Sequence, residues 1–211
     1  MVTKRRNRHA RQPERTRLRI LEAATFIFAK YGPAGARVDD IVRLARVNKR
    51  MVYHYFGSKE KLYEAVLRQR YDQAAKEEAD VAAEFGSPKE QIESLIRHYF
   101  NFLDRHPQYV ALLTWENLNE ARSLDRANLY NVKNPIQSHF ERVIREGIRM
   151  KVFHKDISAQ QLLISCYALC FYTFSNQHTL SRILGVNLAS KLMKKQRLNH
   201  IVELVLGGIL R

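Results

Sequence analysis

Asn48-Lys49-Arg50-Met51-Val52-Tyr53-His54-Tyr55-Phe56-Gly57-Ser58-Lys59-Glu60-Lys61-Leu62 is the stretch that decides how this chain is read. Asn48 is a strong helix N-cap, because its side-chain oxygen accepts from an otherwise orphaned backbone N–H. Gly57 breaks the helix that follows, and Ser58 caps the start of another. A short helix over 49–55 is therefore expected. At that length it has no stability of its own and must be held by packing. Val52 and Phe56, four residues apart, point together toward a core, with Val47 beside them. Lys49, Arg50, Met51, Tyr53, His54 and Tyr55 are left facing outward or along the rim. That mixture suits a helix laid in a DNA major groove. Arg pairs bidentately with guanine, Lys reaches guanine or phosphate, and Met touches a thymine methyl. Tyr and His donate to phosphate oxygens and fix register. The helix start at Ser58 offers free N–H groups to a further phosphate, with the charge of Lys59 beside them. The competing reading is a solvated basic face.

Working outward, residues 14–31 place Leu18, Leu21, Ala24 and Phe28 at helical spacing, with Ile20 and Ile27 widening the stripe. Tyr31-Gly32-Pro33 ends that helix. Residues 38–45 put Val38, Ile41, Val42 and Ala45 on one face, with Asp39 and Asp40 in the first turn, where negative charge suits the helix dipole. Only Arg46, Val47 and Asn48 separate this helix from the next. Two helices joined by so short a turn are a helix-turn-helix, here spanning 14–57 and extending into the helix from 58. Residues 1–13 hold Lys4, Arg5, Arg6, Arg8 and Arg11 with almost no apolar residue, and read as a disordered basic arm.

Charge agrees with this division. The 211 residues carry a formal net charge of +15. Residues 1–70 hold 18 Lys/Arg against 6 Asp/Glu, while residues 71–211 are nearly balanced. A basic module joined to a near-neutral one points to nucleic acid as partner. No P-loop, dinucleotide-binding glycine turn, His-Glu-x-x-His or Gly-x-Ser-x-Gly elbow is present, so nothing in the sequence marks an enzyme, a cofactor or a metal site. A non-specific architectural binder of DNA or of a membrane surface remains open beside a sequence-specific regulator. No segment reaches the roughly 20 apolar residues of a membrane span, and a soluble cytoplasmic protein is expected.

The remainder, 58–211, reads as helices throughout, so the fold class is all-α with a C-terminal effector-binding and dimerisation domain. Ser87-Pro88, His106-Pro107, Pro135 and Asp156-Ile157-Ser158 mark helix starts. Residues 159–180 are apolar almost all round and must be covered on more than one side. With the last helix, over 187–210, they suggest a two-fold bundle between subunits, through Leu163, Phe174, Leu198, Ile201, Val202, Val205 and Ile209. A pocket among the central helices has Tyr99, Phe102, Trp115, Asn119, Phe140, Tyr167 and Phe171 as candidates, each also suited to plain core. Cys166 and Cys170, four apart in this apolar run, read as buried free thiols.

Residues 14–67 resemble the N-terminal domain of the TetR/AcrR transcriptional regulators. The resemblance rests on Ile20-Leu21, Ala23-Ala24, Phe28, Tyr31-Gly32, Asp40-Ile41, Ala45, Val47, Val52-Tyr53-His54-Tyr55-Phe56, Ser58-Lys59-Glu60 and Leu62. It implies a homodimeric, all-helical regulator that binds a double-stranded operator and releases it when a small-molecule effector occupies the C-terminal domain, repression being the family's usual mode. Two residues depart from the pattern. Arg46 stands where the family usually has Gly in the turn, and Arg37 where a Thr often begins the second helix. Each is expected to offer a phosphate contact, the second at the loss of a capping hydroxyl. Together with Asn48, Lys49, Arg50, Met51, Tyr53, His54, Tyr55 and Lys59 they make up the expected DNA-binding set.

Overall fold

The computed structural model describes residues 3–82, 86–127, 129 and 135–211. Its elements are α1 (Thr3–Gly35), α2 (Val38–Ala45), α3 (Lys49–Phe56), α4 (Lys59–Ala82), α5 (Pro88–Arg105), α6 (Pro107–Leu118), α7 (Arg122–Arg126), α8 (Pro135–Arg149), α9 (Ala159–Ser175), α10 (Gln177–Leu184) and α11 (Lys191–Ile209). The all-α fold class is therefore observed. The chain divides into two compact units, Met1–Tyr71 with Ala111–Asn131, and Asp72–Val110 with Val132–Arg211.

In the first unit, α1 begins at Thr3, where the sequence suggested a disordered arm over 1–13. No Gly or Pro precedes Pro13, and Arg, Lys, Gln and Ala are good helix formers. The helix breaks at Gly32, whose φ of 71° is left-handed. Gly32 is also buried under Trp115: a Cβ there would lie 2.8 Å from the indole ring. The Trp115 Nε1–H donates to the Ala29 carbonyl at 3.1 Å. Trp115 thus packs on the helix-turn-helix, and Asn119 falls in the same unit, apart from the other pocket candidates. The core of this unit is one cluster: Ile20, Ala24 and Phe28 of α1, Ile41 and Ala45 of α2, Val52 and Phe56 of α3, Leu62 and Val66 of α4, and Leu112 of α6. The expected domain, 14–57 extending into the helix from 58, lies within this unit, which takes in α4 as far as Tyr71 and also the segment Ala111–Asn131. Glu116, buried on α6, accepts from the Ser123 backbone N–H at 3.2 Å and so starts the short α7, which carries no periodic apolar signal of its own.

The second unit starts at a complete capping box. Ser87 Oγ accepts from Glu90 N, and the Glu90 carboxylate accepts from Ser87 N at 2.8 Å, with Pro88 at the first helical position. Ser158 and Ser190 cap α9 and α11 by the single bond, their hydroxyls accepting from Gln161 N and Met193 N. The expected helix over 159–180 is two: α9 stops at Ser175, Asn176 leaves the helical region, and α10 follows until Gly185, at φ 65°, ends it. Ile92, Ile96, Phe100, Phe140, Val143, Ile144, Phe153, Cys170, Ile201 and Val205 are all buried in this unit. Phe153 is fixed from two sides. The backbone around it pairs with the C-terminus, His154 N donating to Ile209 O at 3.0 Å and Arg211 N to Val152 O at 3.1 Å. Its ring lies against α8 where Gly147 has no side chain, 2.1 Å from the position a Cβ would take. Gly147→Ala is therefore an overpacking change in a rigid core. It should lower unfolding free energy by about 1–3 kcal/mol in urea titrations. Gly208→Ala, where no atom lies within 4 Å of the added methyl, should lack that penalty.

Candidate nucleic-acid interface

α3 is eight residues long, and its side chains fall into four stripes of two. Val52 and Phe56 are buried, at 0 and 8% exposure. Met51 and Tyr55 are half-buried and pack against the same core. Lys49 with Tyr53, and Arg50 with His54, are exposed. The sequence reading left Met51 and Tyr55 outward or along the rim; the structure puts them at the rim, committed to packing. The free face is thus Lys49, Arg50, Tyr53 and His54, at positions i, i+1, i+4 and i+5, a compact surface one helix wide. The Arg17 guanidinium lies 5.3 Å from the Phe56 ring centroid and covers the end of the anchor.

The elements that position this face are local. Asn48 Oδ1 accepts from Arg50 N at 2.9 Å, so its carbonyl oxygen is spent as the expected cap. Arg37, the residue before α2, makes no side-chain capping bond, as its replacement of a hydroxyl residue implied. Arg46 closes α2 in the left-handed region (φ 52°, ψ 52°) while its side chain stays exposed. The turn is stapled from α1: the Arg19 guanidinium donates to the Ala45 carbonyl and, at 3.0 Å, to that of Arg46. Sequence reasoning missed Arg19, because an i to i+26 bond leaves no local signal. Lys59 is tied elsewhere than expected. Its ammonium donates to the carbonyls of Ala34, at 3.4 Å, and Ala36, at 3.1 Å, which fixes the loop before α2. Ser58 caps α4 by accepting from Lys61 N at 3.2 Å.

One acidic residue borders the free face. Asp39 Oδ1 lies 2.8 Å from Lys49 Nζ, with both side chains largely in solvent. The hydrogen bond and charge of Lys49 hold the Asp39 carboxyl below its usual range, and Asp39 raises the Lys49 ammonium in return. Asp40 pairs separately with Arg43 at 3.3 Å.

The other sequence candidates lie in the second unit. A small apolar cavity of about 20 Å³ is lined by Leu95, Ile96, His98, Tyr99, Phe140, Leu163, Cys166, Tyr167 and Cys170. Tyr99, Phe140 and Tyr167 therefore come together as expected, with the two tyrosine rings 4.7 Å apart. Phe102 stacks instead on His106 and Tyr109, and neither it nor Phe171 reaches the cavity. Burial pushes both thiols, Cys166 and Cys170, up to about 12. Most of the expected dimer residues are core. Ile201, Val202, Val205 and Ile209 are at most 5% exposed, Leu163 faces the cavity, and Phe174 packs edge-on against Phe100 at 4.8 Å. Leu198 is half-buried. The exposed apolar residues sit on the opposite faces: Ile164, Ala168 and Tyr172 on α9, and Leu204, Gly207 and Gly208 on α11. An all-round apolar sequence does not say which face the subunit buries; that is set by the direction of packing.

Residues 20–66 match the family model of bacterial regulatory proteins of the tetR family, and residues 88–205 match the tetracyclin repressor-like C-terminal domain. The HTH-type transcriptional repressor NicS of Pseudomonas putida is 34% identical over 212 residues, covering 100% of both chains. The chain belongs to the tetR family. Solved structures of this fold superpose along most of its length. The ketosteroid transcriptional regulator KstR2 of Mycobacterium tuberculosis has a TM-score of 0.71 at 21% identity, over 92% of this chain and 95% of that one. FadR of Bacillus subtilis, in complex with stearoyl-CoA, has a TM-score of 0.68 at 17% identity, over 90% and 98%. As a member of the tetR family the protein is a DNA-binding transcriptional regulator, and the family is one of regulators, not enzymes. Among the described residues no helix is long and apolar enough to cross a membrane.

The turn itself yields a prediction. A non-glycine residue in the left-handed region is strained by about 1–2 kcal/mol, part of which glycine returns through its looser unfolded chain. Arg46→Gly should raise unfolding free energy by roughly 0.5–1 kcal/mol. Arg19→Ala, which leaves two carbonyls at the end of α2 without their donor, should lower it by about 1–3 kcal/mol. Both are measurable by chemical denaturation.

Proposed function

We propose that the protein is a cytoplasmic, homodimeric transcriptional repressor that holds a palindromic operator through one α3 per subunit and releases it when a small molecule enters the second unit. The observation that carries this reading is the stripe pattern of α3. Lys49, Arg50, Tyr53 and His54 are exposed on one face, while Val52 and Phe56 lock the opposite face into the core. A helix so anchored presents its free face rigidly, as base readout in a major groove requires. The name of NicS supports repression over activation.

One reading helix covers too few base pairs to select a site, so a second copy is part of the mechanism. The exposed faces of α9 and α11 support a two-fold contact, because Gly207 and Gly208 leave open space for close helix approach beside Leu204. Sedimentation velocity on the double variant Ile164→Glu, Leu204→Glu should show half the wild-type mass. Its operator affinity should fall by about 100-fold or more, as the second half-site is no longer tethered. A variant that stays dimeric counts against these faces.

The cavity between α5, α8 and α9 is the proposed effector site. Its lining contains no Lys, Arg, Asp or Glu, which favours an apolar ligand. Its volume of about 20 Å³ is room for little more than one water, so an effector enters only by displacing side chains of this lining, the paired Tyr99 and Tyr167 among them. That displacement is the event that binding energy would couple to the DNA-binding helices.

DNA selection from a random duplex library should return a two-fold symmetric site bound roughly 10³-fold or more tighter than random sequence. On that site Arg50→Ala should relax base preference at one position per half-site, with a loss of about 1–3 kcal/mol against the preferred base. Tyr53→Phe should weaken all sequences alike. Enrichment of no sequence would return the protein to the class of non-specific binders.

A further inference from the structure

The Asp39–Lys49 pair has no evident structural need. α2 already ends in a turn stapled by Arg19, α3 is capped by Asn48, and both members of the pair are exposed. An exposed ion pair of this kind contributes little to folding. Its position is the informative part. Lys49 is the first residue of α3 and lies on the free face with Tyr53, where a DNA phosphate would pass the helix N-terminus. A carboxylate oxygen 2.8 Å from that ammonium sits at the distance a phosphate oxygen would take from it. The other charges bearing on Asp39 are those of Arg43 and Arg37, both weaker than Lys49.

We propose that Asp39 is an affinity-setting residue of the reading head: its carboxylate stands in for a DNA phosphate on Lys49 in the free protein and must be exchanged for one on binding. The inference rests on the DNA-binding reading of α3. The free protein then presents one cation fewer to any duplex, and binding that relies on charge alone is held down. Asp39 itself, left beside the phosphate after exchange, opposes the same contact. Base contacts from Arg50 lie outside this exchange, so they weigh more heavily in the total when Asp39 is present.

The experiment measures binding to a random-sequence duplex by fluorescence anisotropy between 50 and 200 mM NaCl. It compares the full-length wild type, Asp39→Asn, Lys49→Met and the double variant, with thermal unfolding as the control for folding. Asp39→Asn should bind roughly two- to fivefold tighter at the low-salt end. Its plot of log K against log salt should be steeper by up to about 0.9, because no freed carboxylate takes up a salt cation to offset the one the phosphate releases. In the Lys49→Met background Asp39→Asn should leave the slope unchanged, because no cation is released. Asp39→Ser, which keeps an acceptor in the first turn of α2, repeats the test should Asn destabilise the helix. An unchanged slope for Asp39→Asn overturns the proposal. Weaker binding also overturns it and makes Asp39 a residue that positions Lys49. Steepening that persists without Lys49 reduces the effect to general repulsion and overturns it as well. Wild-type protein with no salt-dependent DNA binding would instead sink the DNA reading itself.

Discussion

The burial of Val52 and Phe56 is the contact on which the rest depends. An eight-residue helix forms at most a few internal hydrogen bonds and does not survive alone in water. Its orientation is set by two side chains that enter a cluster built from α1, α2 and α4. Because these two lie on one stripe, their burial also sets the direction of the exposed stripes, on which Lys49 pairs with Asp39. The exposed residues are thereby held at their bases while their tips reach into solvent or, for Lys49, to Asp39. That is what a surface reading base edges needs.

Around this anchor the unit spends polar groups on holding backbone ends. Arg19 takes the carbonyls at the end of α2, Lys59 takes those of the loop before it, and Asn48 and Ser58 take the free N–H groups of α3 and α4. Lys59, a cation the sequence offered to DNA, and Arg19, one it did not single out, are therefore part of the scaffold. Lys49, also in the expected DNA-binding set, carries an acidic partner. The positive charge of the first 70 residues is real, but it is partitioned between building the head and meeting the nucleic acid. Trp115 and Glu116 of α6 are also embedded in this unit, though they lie far along the chain. In the second unit the same principle holds with apolar groups. Phe153 is seated against Gly147, and the backbone on either side of it is hydrogen-bonded to Ile209 and Arg211, at and just beyond the end of α11.

Much of the site was legible because its determinants are short-range. The stretch from Asn48 to Leu62 contains a cap, a breaker, a second cap and a four-residue hydrophobic repeat. Each acts within one helical turn, and the structure places α2 and α3 within a residue of the expected bounds. The family resemblance in residues 14–67 coincides with the part matched by the tetR family model. Less legible were the residues whose role depends on what lies opposite. Tyr99, Phe140 and Tyr167 meet at one cavity, while Phe102, Phe171 and Trp115, of the same character and spacing, do not. On α11 the apolar residues chosen for a partner subunit, Ile201 through Ile209, turned out to face inward, with Leu204 outward. Periodicity identifies a stripe; it does not say what the stripe is packed against.

The sequence by itself determined that the chain is helical, where the helix-turn-helix lies, and which tip of it carries cations and aromatics. These follow from propensity, capping and i to i+4 spacing, all properties of neighbouring residues. Only the tertiary structure decided that Lys59 and Arg19 serve the backbone, that Lys49 is matched by Asp39, that Trp115 belongs to the head, and which face of α9 and α11 is exposed. Each of these depends on groups ten to a hundred residues apart meeting in space. Such meetings are chosen by the packing of whole helices, and no local pattern records them.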